Sequence, residues 1–396
     1  MTSRPDTGVP PRGATGFLPA LEGMRGCAAV GVLVTHVAFQ TGAVHDPVIG
    51  RVWGRLDLAV ALFFALSGFL LWRPHAAEAR GYGAAQSPGR YLVSRAVRIL
   101  PAYWTAVCLV LLLLPGAGGG WRVWVANLTF VQVFVPLTLT EGLTQMWSLS
   151  VEVAFYLLLP LFGAALCRLR GDAARFRIPV ILAACAASFV WVWLPVATPD
   201  HINHDNWLPG YLPWFGVGML LAELVTIGGT WVHRLAARRG LMAAIAIGAF
   251  VLAATPLGGP AELTTLEPWE YNSKILLGAV MSAALLAPLV LTPRDHHRIL
   301  ASTTALAVGR WSYGIFIWHL AVLSIVFPVF GILPFHGHFW FVLVVTVIVS
   351  IAVASVSYAL VEEPARREFH RRTRAKRGDS GTVASPSATN PASAAN

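Results

Sequence analysis

The sequence predicts an all-α fold, a polytopic helical bundle in a membrane, and three observations carry that prediction. Of 396 residues, 56% are hydrophobic and 12% are charged, whereas about a quarter of a soluble domain is charged. Mean hydropathy is +0.64. The apolar residues also fall into runs close to the roughly 20 residues that a helix needs to cross the hydrocarbon core. These runs cover about 18–43, 56–72, 99–115, 147–167, 178–197, 210–228, 241–256, 274–292, 311–331 and 339–360. About ten transmembrane helices are expected, in one membrane domain over 17–365, with an N-terminal segment 1–16 and a basic then disordered tail 366–396.

The loops set the expected orientation. Segments 73–98, 168–177, 233–240, 293–298 and 366–377 are rich in Arg, whereas 198–210 and 258–272 contain no Lys or Arg. Positive loops stay on the cytoplasmic side, so ten spans place both termini inside and the chain in the cell (inner) membrane. Segment 121–139, WRVWVANLTFVQVFVPLTL, is apolar enough to enter the bilayer, yet a full crossing would invert every later loop. It is expected to be a re-entrant or interfacial hairpin on the outer side; a true span beside a misplaced neighbour is the alternative. Such backbone is tolerable only where protein or a wet cavity surrounds it.

Composition also narrows function. The net charge of +10 is explained by the basic loops, so no nucleic-acid partner is expected. Cys27, Cys108, Cys167 and Cys185 have neither CxxC nor metal-ligand spacing, and read as small apolar residues. No metal site, Walker motif, GxSxG elbow or HExxH motif occurs. The N-terminus lacks the apolar core and small-residue site of a cleaved signal peptide. No internal repeat of the kind that builds many transporters is visible.

Ionisable groups within the apolar runs carry the functional signal, because a charge at the bilayer centre costs about 2.5–3.5 kcal/mol even on the lenient scale. In LEGMRGCAAVGVLVTH (21–36), Arg25 and His36 are eleven residues apart. That is three helical turns, so both project from one face about 16 Å apart along the axis. Glu22 lies one turn before Arg25. His36 suits proton transfer near neutral pH; the structural alternative is a packed, hydrogen-bonded histidine above an interfacial ion pair. In WSLSVEVAFYLLLP (147–160), Glu152 shares a face with Ser148 and Tyr156 and lies too deep to reach water easily. It either faces a cavity or partners a buried Arg. Arg95 and Arg98 share a helix face where a run leaves its basic loop, a pair suited to phosphate or to membrane-surface contact. Tyr313 and His319 lie in an aromatic run, where Gly314 permits close helix approach.

Taken in order, these segments resemble acyltransferase family 3, the polytopic membrane O-acyltransferases. The resemblance runs from about Leu18 to Arg366. LEGMRG followed by His36 matches the family's opening L-D-G-x-R-G motif and its Arg–ten residues–His spacing. Phe63, Phe64, Leu66, Ser67, Gly68 and Phe69 match FFxLSGF, and Arg95 with Arg98 match R-x-x-R. NLTF (127–130) and WSLSVE (147–152) match later motifs, Gly309, Ser312, Tyr313 and His319 match G-x-x-S-Y…H, and Glu362 with Pro364 match the closing E-x-P. Glu22 replaces an Asp. Ala61 stands where many members carry an acidic residue, and no role is assigned there; Val153 stands where many carry a second Glu, so no mechanism needing two carboxylates beside Glu152 is expected.

The resemblance implies transfer of an acyl group, often acetyl, from acyl-CoA to a hydroxyl of a carbohydrate or macrolide-like acceptor. It is expected to act as a stand-alone form, with acyl-CoA as co-substrate and no permanently bound cofactor. On that reading His36 is general base or acyl carrier, and Glu152 orients or charges a partner, His36 among the candidates. Arg25, Arg95 and Arg98 hold the donor. Glu22, Ser67, Trp147, Ser148, Tyr313 and His319 line the cavity. A proton-coupled transporter without covalent chemistry, and a purely structural protein, remain the alternative classes. The oligomeric state is left open.

Overall fold

The computed structural model describes residues 16–83, 87–260, 264–294 and 297–381. Its described residues form helices and turns, with no strand. The first helix, α1 (Pro19–Thr41), starts at a proline whose missing N–H is no loss in a first turn. It stops at Gly42, whose φ of 76° is the left-handed conformation glycine adopts without strain. A short α2 (Gly50–Arg55) leads into α3 (Ala59–Ala79), and α4 (Pro88–Leu113) follows the basic loop. Next come α5 (Trp121–Leu128), α6 (Trp147–Ala165), α7 (Arg177–Ser188) and α8 (Leu208–Ile227). The chain continues through α9 (Trp231–Ala237), α10 (Arg239–Ala253) and α11 (Pro268–Val290). Glu267 and Glu270 form a reciprocal capping box at the start of α11. Ser302 caps α12 (Thr303–Val329) by accepting from the Ala305 N–H at 3.3 Å. The last helices are α13 (Phe339–Ser357) and α14 (Glu363–Gly381), joined by a π-helical turn at Tyr358–Glu362.

Each of the ten predicted runs overlaps a helix. Among the described residues, eight helical stretches are long and apolar enough to cross a membrane, and nine if the α9–α10 pair, bent by 87°, counts as one span. The helix α1 is not among them, because Glu22, Arg25 and His36 dilute its hydropathy. It is nevertheless enclosed by α12, α3 and α13. The expected count of about ten is therefore approximate, while the all-helical, multi-pass class stands.

Segment 121–139 forms no spanning helix. The eight residues of α5 rise only about 12 Å, and irregular backbone follows. Buried side chains satisfy that backbone from within. Asn127 Nδ2 donates to the Val123 and Thr138 carbonyls, both at 2.9 Å, and Gln132 Nε2 donates to the Met146 carbonyl at 3.0 Å. The α4 residue Tyr103 donates to the Asn127 carbonyl at 2.7 Å. At the other end of the chain, α14 reaches Gly381, four residues into the stretch expected to be disordered. The rest of that tail, and residues 1–15, lie outside the described residues.

Two close helix pairs hold the core. The helix α1 runs along α12, and α3 along α8. A Cβ on Gly26 would stand 3.0 Å from the backbone N of Gly309, so two backbones meet where no side chain fits. Gly68 and Gly218 play the same part between α3 and α8: a Cβ on Gly218 would strike the Ala65 carbonyl and the Phe69 amide. Beside that seam, fully buried Glu223 is held by Arg80 at 2.5 Å, Arg177 at 2.7 Å and Trp72 Nε1 at 2.8 Å. A buried carboxylate is tolerable only when paired this completely. Gly218→Ala is expected to lower stability by about 1–3 kcal/mol, because backbone cannot yield as a flexible side chain can. Gly248→Ala, inside α10 and with open space for its Cβ, should be neutral to stabilising by up to about 1 kcal/mol. Thermal unfolding in detergent measures both.

Candidate functional site

Three cavities run in series through the bundle. The first lies at the end carrying the Arg-rich loops, has a volume of about 500 Å³, and is lined by Glu22, Arg25, Arg98, Arg310, Glu362 and Arg366 among others. Four guanidinium groups there face two carboxylates. The second, central cavity is a waist of about 70 Å³, with Arg25, Arg95, Arg98, Ser67, Glu152 and Tyr156 in its wall. The third lies at the opposite end, below the loops without Lys or Arg, and measures about 400 Å³. His36, Asp57, Trp147, Asp205 and Lys274 line it. Arg25, Arg98 and Tyr313 belong to both the first and the central cavity. Among the described residues, only Val60 belongs to both the central and the far cavity.

Local structure places these groups. The helix α1 carries Glu22 and Arg25 in its first turns, 3.6 Å apart, and His36 three turns later. Its seat on α12 turns this polar stripe inward, so Arg25 faces the first two cavities and His36 the far one. From α4 come Arg95 and Arg98. Tyr313 of α12 ties that helix to α4 by donating to the Ile99 carbonyl at 3.0 Å. Glu152 of α6 accepts from Tyr156 at 2.5 Å and from Ser67 of α3, both on Oε1. Ser148 lines the central cavity as well.

The far cavity is built differently. Lys274 and Asp57 pair at 2.5 Å across its wall. Arg55, almost fully buried, donates to the Gly259 and Pro260 carbonyls, each at 3.1 Å, and so pins the loop above. Arg55 Nε and Asp57 Oδ1 have no hydrogen-bond partner among the described residues. Trp147, Tyr211 and Trp214 supply aromatic walls. Two cations and two carboxylates (Asp57 and Asp205) balance there, in contrast to the basic excess at the opposite end.

Two expectations change. Glu152 does not orient His36: the two line different cavities, and the carboxylate is engaged by Ser67 and Tyr156. His319 lines none of the three cavities. It is fully buried, and its Nε2 lies 3.2 Å from His36 Nδ1. Sequence reasoning passed over Arg55, Asp57 and Lys274 in the far cavity, and Arg310 and Arg366 in the first. Lys274 had a signal, since it is one of two lysines in the chain and falls at the edge of an apolar run.

Comparison with known proteins places the chain in a family. The family model for the acyltransferase domain of acyltransferase family 3 matches residues 18–355. The chain belongs to this family. Among curated relatives it is similar to the peptidoglycan O-acetyltransferase OatA of Listeria monocytogenes, at 20% identity over 377 residues, covering 89% of this chain and 56% of the relative. The putative peptidoglycan O-acetyltransferase YrhL of Bacillus subtilis is 26% identical, with 90% and 56% covered. The O-acetyltransferase OatA of Staphylococcus aureus is 22% identical, with 89% and 58% covered. The chain thus spans little more than half the length of the relatives it matches. No solved structure matches it. Most segments that resemble the family's motifs contribute residues to the cavity walls; NLTF instead spans the last residues of α5 and the turn after it, and Pro364 is exposed.

Proposed function

We propose that the protein is a membrane O-acyltransferase that moves an acyl group, acetyl in the first instance, from acyl-CoA to a carbohydrate hydroxyl. The observation that carries this reading is the series of cavities. A basic chamber opens on the Arg-rich end, a narrow waist follows, and a charge-balanced chamber containing His36 lies beyond. On this reading the Arg-rich end and both termini face the cytoplasm, where acyl-CoA is available. Arg25, Arg98, Arg310 and Arg366 bind the donor phosphates through charge-assisted hydrogen bonds, and the thin pantetheine arm enters the waist past Arg95. The thioester then meets the acceptor at Val60. Asp57, Asp205, Arg55 and Lys274 offer hydrogen bonds to a neutral, hydroxylated acceptor, with aromatic rings as an apolar wall. The peptidoglycan O-acetyltransferases among its relatives point to a glycan as that acceptor.

The chemistry balances without a metal or redox partner. His36 Nε2 takes the proton of the acceptor hydroxyl as its oxygen attacks the thioester carbon. The carbon–sulfur bond breaks, the new ester bond forms, and the leaving thiolate takes the proton from His36. Glu152, held by Ser67 and Tyr156, fixes the waist and balances the three guanidinium groups around it.

The test uses membranes carrying the full chain, [14C]acetyl-CoA, and an N-acetylglucosamine oligosaccharide as acceptor. A covalently acetylated sugar is expected; flux without any covalent product would favour a transporter instead. His36→Ala should reduce transfer by at least about 100-fold with donor binding retained. If folded His36→Ala transfers at the wild-type rate, the assignment of the base is wrong. Arg98→Ala should raise the KM for acetyl-CoA by about 10-fold or more, the loss of one charge-assisted bond of about 1.5–3 kcal/mol, with a smaller change in kcat. Val60→Trp should plug the passage between waist and far cavity. Transfer should then fail while acetyl-CoA affinity, measured by calorimetry, stays within about twofold, because Val60 lies beyond the groups assigned to the phosphates.

A further inference from the structure

We propose that His319 is the positioning residue for His36: together with the Val32 carbonyl it holds the ring in the tautomer and orientation that leave His36 Nε2 free toward the far cavity, and it accepts a hydrogen bond from the ring when that nitrogen is protonated. The inference rests on the reading of His36 as general base, and the geometry of the two rings carries it further.

The tautomers follow from which atoms face each nitrogen. His319 Nδ1 lies 2.7 Å from the Phe316 carbonyl and 3.2 Å from the Ile315 carbonyl. Carbonyl oxygens only accept, so Nδ1 carries the hydrogen, and Nε2 of the neutral ring presents a lone pair. His36 Nδ1 lies 2.8 Å from the Val32 carbonyl, so it too carries its hydrogen. The same N–H stands 3.2 Å from the lone pair of His319 Nε2, with ring centroids 5.0 Å apart. His36 Nδ1–H is thus shared between a backbone carbonyl and a second imidazole. The remaining nitrogen, Nε2, has no partner among the described residues, and the ring lines the far cavity.

This is the division of labour of a base and its orienting group, in which a buried acceptor on one ring nitrogen sets the function of the other. Here the acceptor is a neutral imidazole. An unpaired carboxylate at that depth, fully enclosed by apolar helices, would carry a heavy desolvation cost. The imidazole still gains from proton transfer: when His36 Nε2 takes the hydroxyl proton, the ring becomes cationic and its Nδ1–H a stronger donor to His319. His319 never meets substrate and exchanges no proton in this scheme.

Two side chains separate positioning from packing. Asn at 319 can replace the bond that Nδ1 makes to the Phe316 carbonyl but cannot reach His36. Gln places a carbonyl oxygen near the site of Nε2 and can accept from His36 Nδ1–H. The experiment is 15N NMR of histidine-labelled full-length protein in nanodiscs, with the His36 signals identified by their loss in His36→Asn. Wild type and His319→Gln should show His36 protonated at Nδ1 and bare at Nε2. His319→Asn and His319→Phe, in which the Val32 carbonyl still accepts from Nδ1–H, should keep that tautomer but move the His36 Nδ1–H proton resonance upfield as its second acceptor is lost. In the oligosaccharide assay, the Asn and Phe variants should lose about 100-fold in kcat with KM for both substrates unchanged, and Gln should stay within about fivefold of wild type. An unchanged His36 Nδ1–H resonance in His319→Asn or His319→Phe, or an Asn variant as active as Gln, overturns the proposal. Inactive His36→Ala beside fully active His319→Phe would sink this inference alone, whereas an active, folded His36→Ala would remove the reading beneath it.

Discussion

The seat of α1 on α12 is the contact on which the rest of the site depends. Where Gly26 faces Gly309 no side chain separates the backbones, and the two helices come close enough for their polar residues to share one interior. A methyl group at either position would push α1 outward. The His36 ring would then leave His319, and Arg25 would leave the wall it shares with Arg98 and Tyr313. This contact also explains why a helix too polar to count as a spanning segment by hydropathy sits at the heart of the bundle. Its polar stripe is covered by protein on one side and by cavities on the other.

Burial treats the charges of this protein in two ways. Glu223 is fully enclosed, and two Arg side chains and a Trp N–H satisfy it. That cluster ties the ends of α3, α7 and α8 together and lines none of the three cavities. The far cavity is the opposite case, since Arg55 Nε and Asp57 Oδ1 stay unpaired beside a space large enough for a small molecule. The irregular segment after α5 lines none of the three cavities. Its Asn127, Gln132 and Thr138 side chains spend their hydrogen bonds on backbone carbonyls, as non-helical chain within a helical bundle requires.

Charge is also graded along the bundle. Guanidinium groups outnumber carboxylates in the chamber at the Arg-rich end and in the waist, while the far chamber is balanced. On the proposed reading, an anionic donor and a neutral acceptor would each find the end that suits it, and the waist would keep them apart except at Val60. The π-helical turn at Tyr358–Glu362 contributes to this grading. It places both Tyr358 and Glu362 in the wall of the first chamber, and such bulges are frequent at functional sites.

Composition and apolar run lengths by themselves determined the all-helical membrane class, and every predicted run falls on a helix. The reason is local: a stretch of about 20 apolar residues in lipid has few ways to satisfy its backbone, and the helix is the simplest. Arg25, His36, Arg95, Arg98 and Glu152 were likewise legible, because an ionisable group inside an apolar run stands out whatever surrounds it. Tertiary structure alone decided who meets whom. Sequence spacing could set Arg25 and His36 on one face of α1, but it could not bring His319 to His36 across 283 positions. Nor could it separate Glu152 from His36 into different cavities, or pair Lys274 with Asp57. Those relations depend on how helices rotate and seat against one another, and that is settled by glycine contacts and packed side chains far apart in the chain.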